Sequence, residues 1–250
     1  MQLRHQIAVI WGFAGDTQAN IAVEKKEVIM QINILQHTPN EGPGSINSWA
    51  TAHGHTVTVY HPYQFGILPD AATTDLLVLL GGPMSPNDNL PWIHAERRLI
   101  AALLEANKPM FGACYGAQQI AKTLGYPITK AAAKEVGWAP IYRQTTTIPG
   151  IPEIVSALHW HEEQFAIPQE AEWLFSSDRV RNQGFVMRQR IVGLQCHLEP
   201  TAQDVRTIVA NDGAYAEGSA LAQTPQSIIA HPVPAENQQV MAAILDYITA

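Results

Sequence analysis

The sequence lacks the features that mark several large protein classes. Only two of its 250 residues are cysteines, Cys114 and Cys196, which is too few for a disulfide framework. It contains no run of about eighteen apolar residues, which excludes a membrane-spanning helix. Basic residues are also scarce, since 15 Lys and Arg stand against 22 Asp and Glu, and the formal net charge is −7. This balance argues against nucleic acid and against an anionic membrane surface as binding partners.

Hydrophobic residues make up 46% of the chain, which is enough to bury one sizeable core. In the first half of the sequence, apolar runs alternate with segments of helical pattern. The predicted strands cover residues 32–36, 56–60, 75–80 and 109–113, and the predicted helices cover residues 45–52 and 92–107. Such alternation is typical of a three-layer α/β fold, in which helices flank a mostly parallel central sheet.

The second half of the sequence has shorter apolar runs and a more β-like pattern. Three segments predict antiparallel strands added at an edge of the sheet: residues 145–147, 173–175 and 185–187. Thr201 and Asp204 have the spacing of a helix-capping pair, and residues 237–248 predict a final amphipathic helix. We find neither an internal repeat nor a linker, so residues 31–250 are expected to form a single domain.

The first thirty residues differ from the rest. Residues 1–30 contain one short apolar patch followed by a polar stretch, and they lack the long apolar core of a secretory signal. Two interpretations remain open: Met30 is the true start and the preceding residues are an upstream extension, or the segment is an arm used for assembly. We favour the first, and we expect weak or absent order in this extension.

The most informative segment surrounds Cys114, which lies between Gly112 and Gly116 where an apolar run ends and a helical pattern begins. This arrangement predicts a nucleophile on a tight turn from strand to helix, because side chains two positions before and after such a residue would collide. The amino end of the following helix favours the thiolate, and the backbone N–H of Tyr115 can stabilise an oxyanion. The alternative is a buried cysteine that acts as a small hydrophobic side chain, but it would not require the two glycines.

A cysteine nucleophile requires a base, and the segment after the apolar run 191–194 supplies one. His197 follows that run and Glu199 lies two residues further on, so both side chains point to the same side if the backbone stays extended. Alone, a His-x-Glu pair after a strand is a weak signal and is more often an ordinary loop pair. Together with Cys114, it predicts a triad in which Glu199 orients His197.

These residues resemble the motifs of the class I, or triad, glutamine amidotransferase family. The Gly-x-Cys-x-Gly-x-Gln elbow of that family matches residues 112–118, and its terminal His-x-Glu matches His197 and Glu199. The chain is most similar to the free-standing branch that resembles the glutaminase domain of GMP synthase. Further strings, spread over roughly residues 31–200 in the expected order, are Gln36-His37 with Glu41-Gly42-Pro43-Gly44, Gly81-Gly82-Pro83-Met84-Ser85, Pro91-Trp92, Glu135-Val136-Gly137-Trp138 and His159-Trp160-His161.

The resemblance implies hydrolysis of the side-chain amide of glutamine, or of a related γ-glutamyl amide, through a γ-glutamyl thioester on Cys114. It also implies an oxyanion hole made by the backbone N–H groups of Gly82 and Tyr115, and it implies no cofactor. Gly82 has independent support, because Gly81-Gly82 ends a predicted buried strand and allows close backbone approach to a ligand, although a plain turn is an equal alternative. The other implied substrate contacts are Gln118, Trp160, His161 and Glu163.

Two residues depart from the family pattern. Tyr115 stands where the family commonly has leucine, and Cys196 replaces the usual aromatic residue before His197. Neither change removes a catalytic group. A tyrosine at this position in the elbow is expected to narrow or polarise the mouth of the pocket.

Ten histidines raise the alternative of a metal site. The possible ligands are His159, His161, Cys196, His197 and His231. Their spacing matches no recognisable zinc pattern, and His197 is better explained as a catalytic base. We therefore predict no metal site.

Three functional hypotheses follow. In the first, the protein hydrolyses glutamine and passes ammonia to a separate synthase, because the chain has no nucleotide-binding loop of its own. In the second, it is a stand-alone hydrolase or peptidase acting on γ-glutamyl compounds. The third is a non-catalytic regulator with the same fold, which the intact set of Cys114, His197 and Glu199 disfavours. Since a catalytic thiolate requires a reducing environment, we expect a cytoplasmic location.

Overall fold

Residues 28–250, which the computed structural model describes, contain nine β-strands and seven α-helices. The strands are β1 (Gln31–Leu35), β2 (Thr56–Tyr60), β3 (Leu76–Leu79), β4 (Met110–Ala113), β5 (Ile128–Arg143), β6 (Ile154–Phe165), β7 (Glu172–Ser176), β8 (Gly184–Met187) and β9 (Ile191–Leu194). The helices are α1 (Ser45–Ala52), α2 (Pro62–Phe65), α3 (Pro91–Glu105), α4 (Tyr115–Thr123), α5 (Ala202–Asp212), α6 (Pro225–Ala230) and α7 (Ala235–Thr249). The expectation for the extension at residues 1–30 lies almost entirely outside the described residues.

The nine strands form one mixed sheet with the order β2-β1-β3-β4-β9-β8-β7-β5-β6. The five strands from β2 to β9 in this order run parallel to one another. The other four are joined by antiparallel pairings along one side of that parallel group. This arrangement confirms the predicted α/β fold, in which a parallel group of five strands carries antiparallel additions along one side.

Helices cover both faces of the parallel strands, because alternate residues of a strand point to opposite faces. In β3, Leu76 and Val78 contribute to a core with α1 and α7, whereas Leu77 and Leu79 contribute to a second core with α3 and α4. All four side chains are fully buried. A third apolar cluster packs the β5–β6 hairpin against α5 and α6. The first two cores lie on opposite faces of the sheet, so the sheet is the middle of three layers, as predicted.

The element predictions hold best among the parallel strands. Helix α1 and strand β2 have the predicted bounds, and Thr201 caps α5 with Asp204 as predicted. The strand prediction for residues 145–147 is wrong, because this segment forms a loop in which the hydroxyls of Thr145 and Thr147 donate hydrogen bonds to Glu172. These tertiary contacts with the first residue of β7 override the β propensity of threonine.

The sequence pattern did not resolve the long β5–β6 hairpin or the short helices α2 and α6. Strand β5 spans 16 residues and β6 spans 12, and their pairing shifts register between Lys130 and Glu135. An interrupted register breaks the simple alternation that identifies a strand in sequence. Within residues 28–250, every helix is too short or too polar to cross a membrane.

Candidate active site

Three neighbouring parallel strands end at the same edge of the sheet, and the predicted catalytic residues follow those ends. Strand β4 lies between β3 and β9. Gly81-Gly82 follows β3, Cys114 follows β4, and the segment with His197 follows β9. Because parallel strands place their carboxyl ends together, residues far apart in sequence meet at this edge.

Cys114 occupies a strained turn between β4 and α4. Its backbone angles are φ 48° and ψ −109°, a combination that residues with a side chain rarely adopt. A Cβ on Gly112 would lie 2.6 Å from the backbone nitrogen of Ala117, and one on Gly116 would collide with the carbonyl of Leu79. The turn therefore requires both glycines, and it leaves Cys114 7% exposed at the amino end of α4.

His197 is held between Glu199 and Cys114. Its Nδ1 lies 2.6 Å from Oε1 of Glu199, and because a carboxylate only accepts, this nitrogen carries the proton. The second oxygen of Glu199 accepts a hydrogen bond from the backbone N–H of Leu198 at 3.0 Å. Burial opposes a charge on His197, but the Glu199 carboxylate and a hydrogen bond with the Cys114 side chain outweigh it and raise the pKa of His197 well above its usual value.

Strand β6 brings a further element to the site. Leu158 and His197 exchange backbone hydrogen bonds of 3.1 and 2.8 Å, which fixes β6 beside the segment after β9. As a result, the carbonyl oxygen of Trp160 lies 3.9 Å from Sγ of Cys114. The indole Nε1 of Trp160 donates to the carboxylate of Asp212 at 3.0 Å.

Gln118 and an unpredicted glutamine form a buried pair beside Cys114. Nε2 of Gln118 donates to Oε1 of Gln195 at 3.1 Å, and Nε2 of Gln195 lies 3.6 Å from Sγ of Cys114. Gln195 precedes His197 by two residues in the segment that follows β9. That spacing is the signal in the sequence that identifies Gln195.

The Gly81-Gly82 turn has no room for side chains. A Cβ on Gly82 would lie 2.8 Å from Cβ of His37. A Cβ on Gly81 would collide with the carboxylate of Glu41 and would lie 2.9 Å from Cε1 of His197. The turn after β3 therefore packs closely against both His197 and Glu41.

The side chain of Tyr115 does not shape the pocket mouth, so that expectation is wrong. The residue is 1% exposed, and its ring lies edge-on to His37 with centroids 4.6 Å apart. The ring centroid of Trp92 lies 6.2 Å from that of Tyr115. Because the ring is buried among other aromatic side chains, only the backbone N–H of Tyr115 is relevant to the site.

A cavity of about 430 Å³ opens above Cys114. The predicted residues among its walls are Gly82, Cys114, Gln118, Trp160, His161 and Glu163. The walls also include residues that sequence reasoning missed: Glu41, Asp88, Glu162, Asp212 and Tyr215. His197 and Glu199 lie buried next to Cys114, outside these walls. The cavity is thus a concave site with a cysteine in its wall.

A second buried histidine group lies next to this site. Oε2 of Glu135 is 3.5 Å from Nδ1 of His159 and 3.3 Å from Nε2 of His161, residue types that also bind metals. The shortest contacts of Glu135 are hydrogen bonds from Gln183 at 2.6 Å and from Ser177 at 2.8 Å. His159 and His161, two of the possible metal ligands, therefore face a carboxylate that already accepts hydrogen bonds from Gln183 and Ser177.

His161 is a neutral ring in this group. Its Nδ1 donates to the carbonyl of Glu163 at 3.1 Å, and its Nε2 faces the amide of Gln183 at 3.4 Å. Burial lowers the pKa of His161. Burial also opposes the charge of Glu135, but contacts with His159 and His161 outweigh it and hold the pKa of Glu135 below its usual range.

Known proteins with related sequences carry the following names. A family model for class I glutamine amidotransferases matches residues 45–214. The glutamine amidotransferase-like protein YfeJ of Salmonella typhimurium is 29% identical over 191 residues, which cover 72% of this chain and 80% of YfeJ. One chain of the glutamine-hydrolysing GMP synthase of Sulfurisphaera tokodaii is 30% identical over 129 residues, which cover 50% of this protein and 67% of that synthase chain.

The fold is shared with solved structures. A glutamine amido transferase from Methylobacillus flagellatus superimposes with a TM-score of 0.79 and 25% sequence identity. The superposition covers 89% of this chain and 93% of that one. The range matched by the family model includes Cys114, His197 and Glu199.

Proposed function

The chain belongs to the class I glutamine amidotransferase family, and on that premise we propose that it hydrolyses the side-chain amide of glutamine or of a related γ-glutamyl compound. Cys114, His197 and Glu199 act as nucleophile, acid–base and orienting carboxylate. The observation that carries this proposal is their joint position. A strained cysteine lies in the wall of a cavity beside a histidine whose second nitrogen contacts a carboxylate at 2.6 Å.

In the first half of the reaction, the thiolate of Cys114 attacks the side-chain carbonyl carbon of the substrate. A C–S bond forms as the C–N bond breaks, and His197 gives its Nε2 proton to the leaving nitrogen. The raised pKa of His197 supports this role, since a charged imidazolium has a proton to donate. The products of this half are ammonia, or a free amine, and a γ-glutamyl thioester.

In the second half, His197 takes a proton from water, and the resulting hydroxide attacks the thioester carbonyl. The C–S bond breaks, glutamate leaves, and Cys114 returns to its starting state. Throughout both halves, Glu199 keeps the Nδ1 proton of His197 in place and stabilises the imidazolium.

The tetrahedral oxyanion of each half is stabilised by the backbone N–H groups of Gly82 and Tyr115. Tyr115 is the first residue of α4, whose amino end carries a partial positive charge. Gly82 lines the same cavity from the turn after β3. Two converging backbone donors of this kind lower the barrier of acyl transfer by a few kcal/mol, about 10²-fold or more in rate. Gln118, Trp160, His161 and Glu163 surround the space for the substrate.

Two fates of the released nitrogen fit this chemistry. The synthase name of the Sulfurisphaera relative supports transfer of ammonia to a separate synthase partner. The alternative is a stand-alone γ-glutamyl hydrolase, and the many carboxylates in the cavity wall favour it. Turnover without any partner supports the stand-alone enzyme, whereas activity that appears only with a co-purifying synthase supports the partner.

The proposed hydrolysis is tested by incubating the purified protein and its Cys114→Ala variant with glutamine and a panel of γ-glutamyl amides while glutamate release is measured. We expect release by the wild type on at least one substrate and none by the variant. A glutamine-like electrophile serves as a second readout, since it should label Cys114 even where turnover requires a partner. Equal release by both proteins, with no labelling of Cys114, would show that the proposal is wrong.

A further inference from the structure

The wall of the active-site cavity carries carboxylates and no basic side chain. Five acidic residues line it: Glu41, Asp88, Glu162, Glu163 and Asp212. Lys and Arg are absent from the lining among the described residues. Because Cys114 lies in the same wall, this charge bears directly on which substrates reach the nucleophile.

No cation within the described part of the chain forms an ion pair with these carboxylates. Asp212 and Asp88 accept hydrogen bonds from neutral groups, the indole of Trp160 and the backbone N–H of Ser85, both at 3.0 Å. Such bonds orient a carboxylate but leave its negative charge in place. The cavity is therefore a concave region of negative potential.

Glu41 places a further carboxyl group next to the catalytic histidine. Its carboxylate lies in the space that a side chain on Gly81 would occupy, next to Cε1 of His197. Among the described residues it accepts no hydrogen bond. Burial raises the pKa of Glu41, against the attraction of His197. A carboxyl group without a partner at this place is available to a group that leaves from the nitrogen side of the scissile amide.

The ring of Tyr215 already binds one alkylammonium group. Nζ of Lys134, which is not part of the lining, lies 3.9 Å from the centre of the Tyr215 ring and donates to the carbonyl of Glu217 at 3.0 Å. Tyr215 itself lines the cavity. An aromatic face within a negative field is a favourable place for an ammonium group.

On the basis of the proposed hydrolysis, we propose that the cavity selects γ-glutamyl amides whose leaving amine carries a second, positively charged group, as in the γ-glutamyl derivatives of alkyl diamines. The reaction consumes one water and yields glutamate and the free diamine. The C–N bond of the amide breaks, and the leaving nitrogen takes its proton from His197. The carboxylates of the wall attract the distal ammonium group, and an anionic leaving amine is repelled.

Three substrates with the same four-carbon leaving chain test this selectivity. The cationic substrate is γ-glutamyl-1,4-diaminobutane, which has a terminal ammonium. The neutral one is γ-glutamyl-butylamine, which has a terminal methyl, and the anionic one is γ-glutamyl-4-aminobutanoate, which has a terminal carboxylate. The γ-glutamyl half is identical in all three, so differences in kcat/KM report on the leaving chain alone. We expect kcat/KM to fall from the cationic to the neutral to the anionic substrate, by about tenfold a step, and the differences to shrink as salt increases.

Charge-neutral variants assign the effect to the cavity. The ratio to measure is kcat/KM of the cationic substrate divided by kcat/KM of the neutral one. Glu162→Gln should lower this ratio several-fold, roughly the effect of removing one nearby charge. Glu105→Gln is the matched control, since Glu105 is an exposed carboxylate at the end of α3 that precedes β4, at the opposite edge of the sheet. This control should leave the ratio unchanged. A ratio within one protein is independent of how much of that protein is folded.

The outcomes separate this inference from the proposed hydrolysis. Equal kcat/KM values for the three substrates, or cleavage of glutamine alone, would overturn the charge selectivity and leave the hydrolytic function standing. Failure to cleave any of the three substrates or glutamine, together with no labelling of Cys114 by a glutamine-like electrophile, would overturn the hydrolytic function itself. A ratio that Glu105→Gln changes as much as Glu162→Gln would show that the selectivity does not come from the cavity wall.

Discussion

The protein contains two buried histidine–glutamate groups side by side, and they differ in the charge of the histidine. In the first, Nδ1 of His197 lies 2.6 Å from Glu199, and the pKa of His197 is raised. In the second, Nε2 of His161 lies 3.3 Å from Glu135, and the pKa of His161 is lowered. Residue type and burial are the same, so the hydrogen-bond partners decide which ring is charged.

The partners of the two carboxylates explain the difference. One carboxylate oxygen of Glu199 accepts a hydrogen bond from the backbone N–H of Leu198, and the other accepts one from His197. Glu135 instead accepts hydrogen bonds from Gln183 and Ser177 in addition to its contacts with His159 and His161. The first group is suited to proton transfer. The second lies where β5 pairs with β6, one residue from Trp160, whose carbonyl lies next to Cys114.

The largest expected effect comes from Glu199→Gln. Removal of the carboxylate frees His197 to adopt the wrong tautomer and withdraws the charge that stabilises its imidazolium. We expect kcat for glutamate release to fall by on the order of 10³-fold, with a smaller change in KM. Steady-state kinetics on the best γ-glutamyl substrate measure this. A loss of less than about threefold would contradict the role of Glu199 as the orienting carboxylate.

The corresponding change in the second group, Glu135→Gln, is expected to act on stability. It removes a buried charge from a hydrogen-bonded group, which costs roughly 2 kcal/mol in the free energy of unfolding. Urea denaturation near neutral pH measures that cost, with Glu105→Gln as the exposed control. If Glu135→Gln reduced kcat as much as Glu199→Gln in fully folded protein, the division between a catalytic and a structural group would fail.

The two groups should also give opposite dependences of stability on pH. The pKa of His197 is higher than its usual 6.5, so its stabilising contribution is full below that pH and is lost as the pH rises through the folded value. The pKa values of Glu135 and His161 are lower than their usual 4.5 and 6.5, so their contributions are full above those values and are lost as the pH falls.

This sign difference can be measured by denaturation across the pH range with the two variants. Glu199→Gln should flatten the loss of stability on the alkaline side of 6.5, and Glu135→Gln should flatten the loss on the acidic side of 4.5. If both variants flattened the same side, the assigned charges would be wrong for one of the groups.

The smallest effect concerns the titration of His197 itself. Glu199 raises the pKa of His197 more than the hydrogen bond with Cys114 does. NMR titration of the histidine ring should therefore show a larger downward shift of this pKa in Glu199→Gln than in Cys114→Ala. The pKa of His161 should be the same in both variants, and a shift there would indicate that the two groups are coupled.

Local spacing accounts for the part of the site that sequence could predict. The two glycines around Cys114 and the two-residue step from His197 to Glu199 are short-range patterns, and the structure places these side chains together. Gln195 was not predicted, although it stands only two residues before His197 in the same short segment. The parallel strands were predicted for a similar reason, since a buried strand is a continuous apolar run.

The cavity wall could not be predicted in this way. Glu41, Asp88 and Asp212 come from separate loops and helix ends, and only the sheet order brings them to one cavity. Tyr115 was misplaced because its sequence position gives no information on its rotamer, which is set by packing against His37 and Trp92. The carboxyl edge of the sheet thus combines a cysteine turn that local sequence encodes with cavity walls that depend on tertiary structure.

The central claim is that Cys114 carries a γ-glutamyl thioester. The direct measurement is to quench the wild-type reaction with acid during turnover of the best γ-glutamyl substrate and to locate the adduct by peptide mass spectrometry. We predict one γ-glutamyl group on the peptide that contains Cys114 and none on Cys196, whose thiol is fully buried. An unmodified Cys114 during continuing hydrolysis, or an adduct on Cys196 instead, would contradict the account.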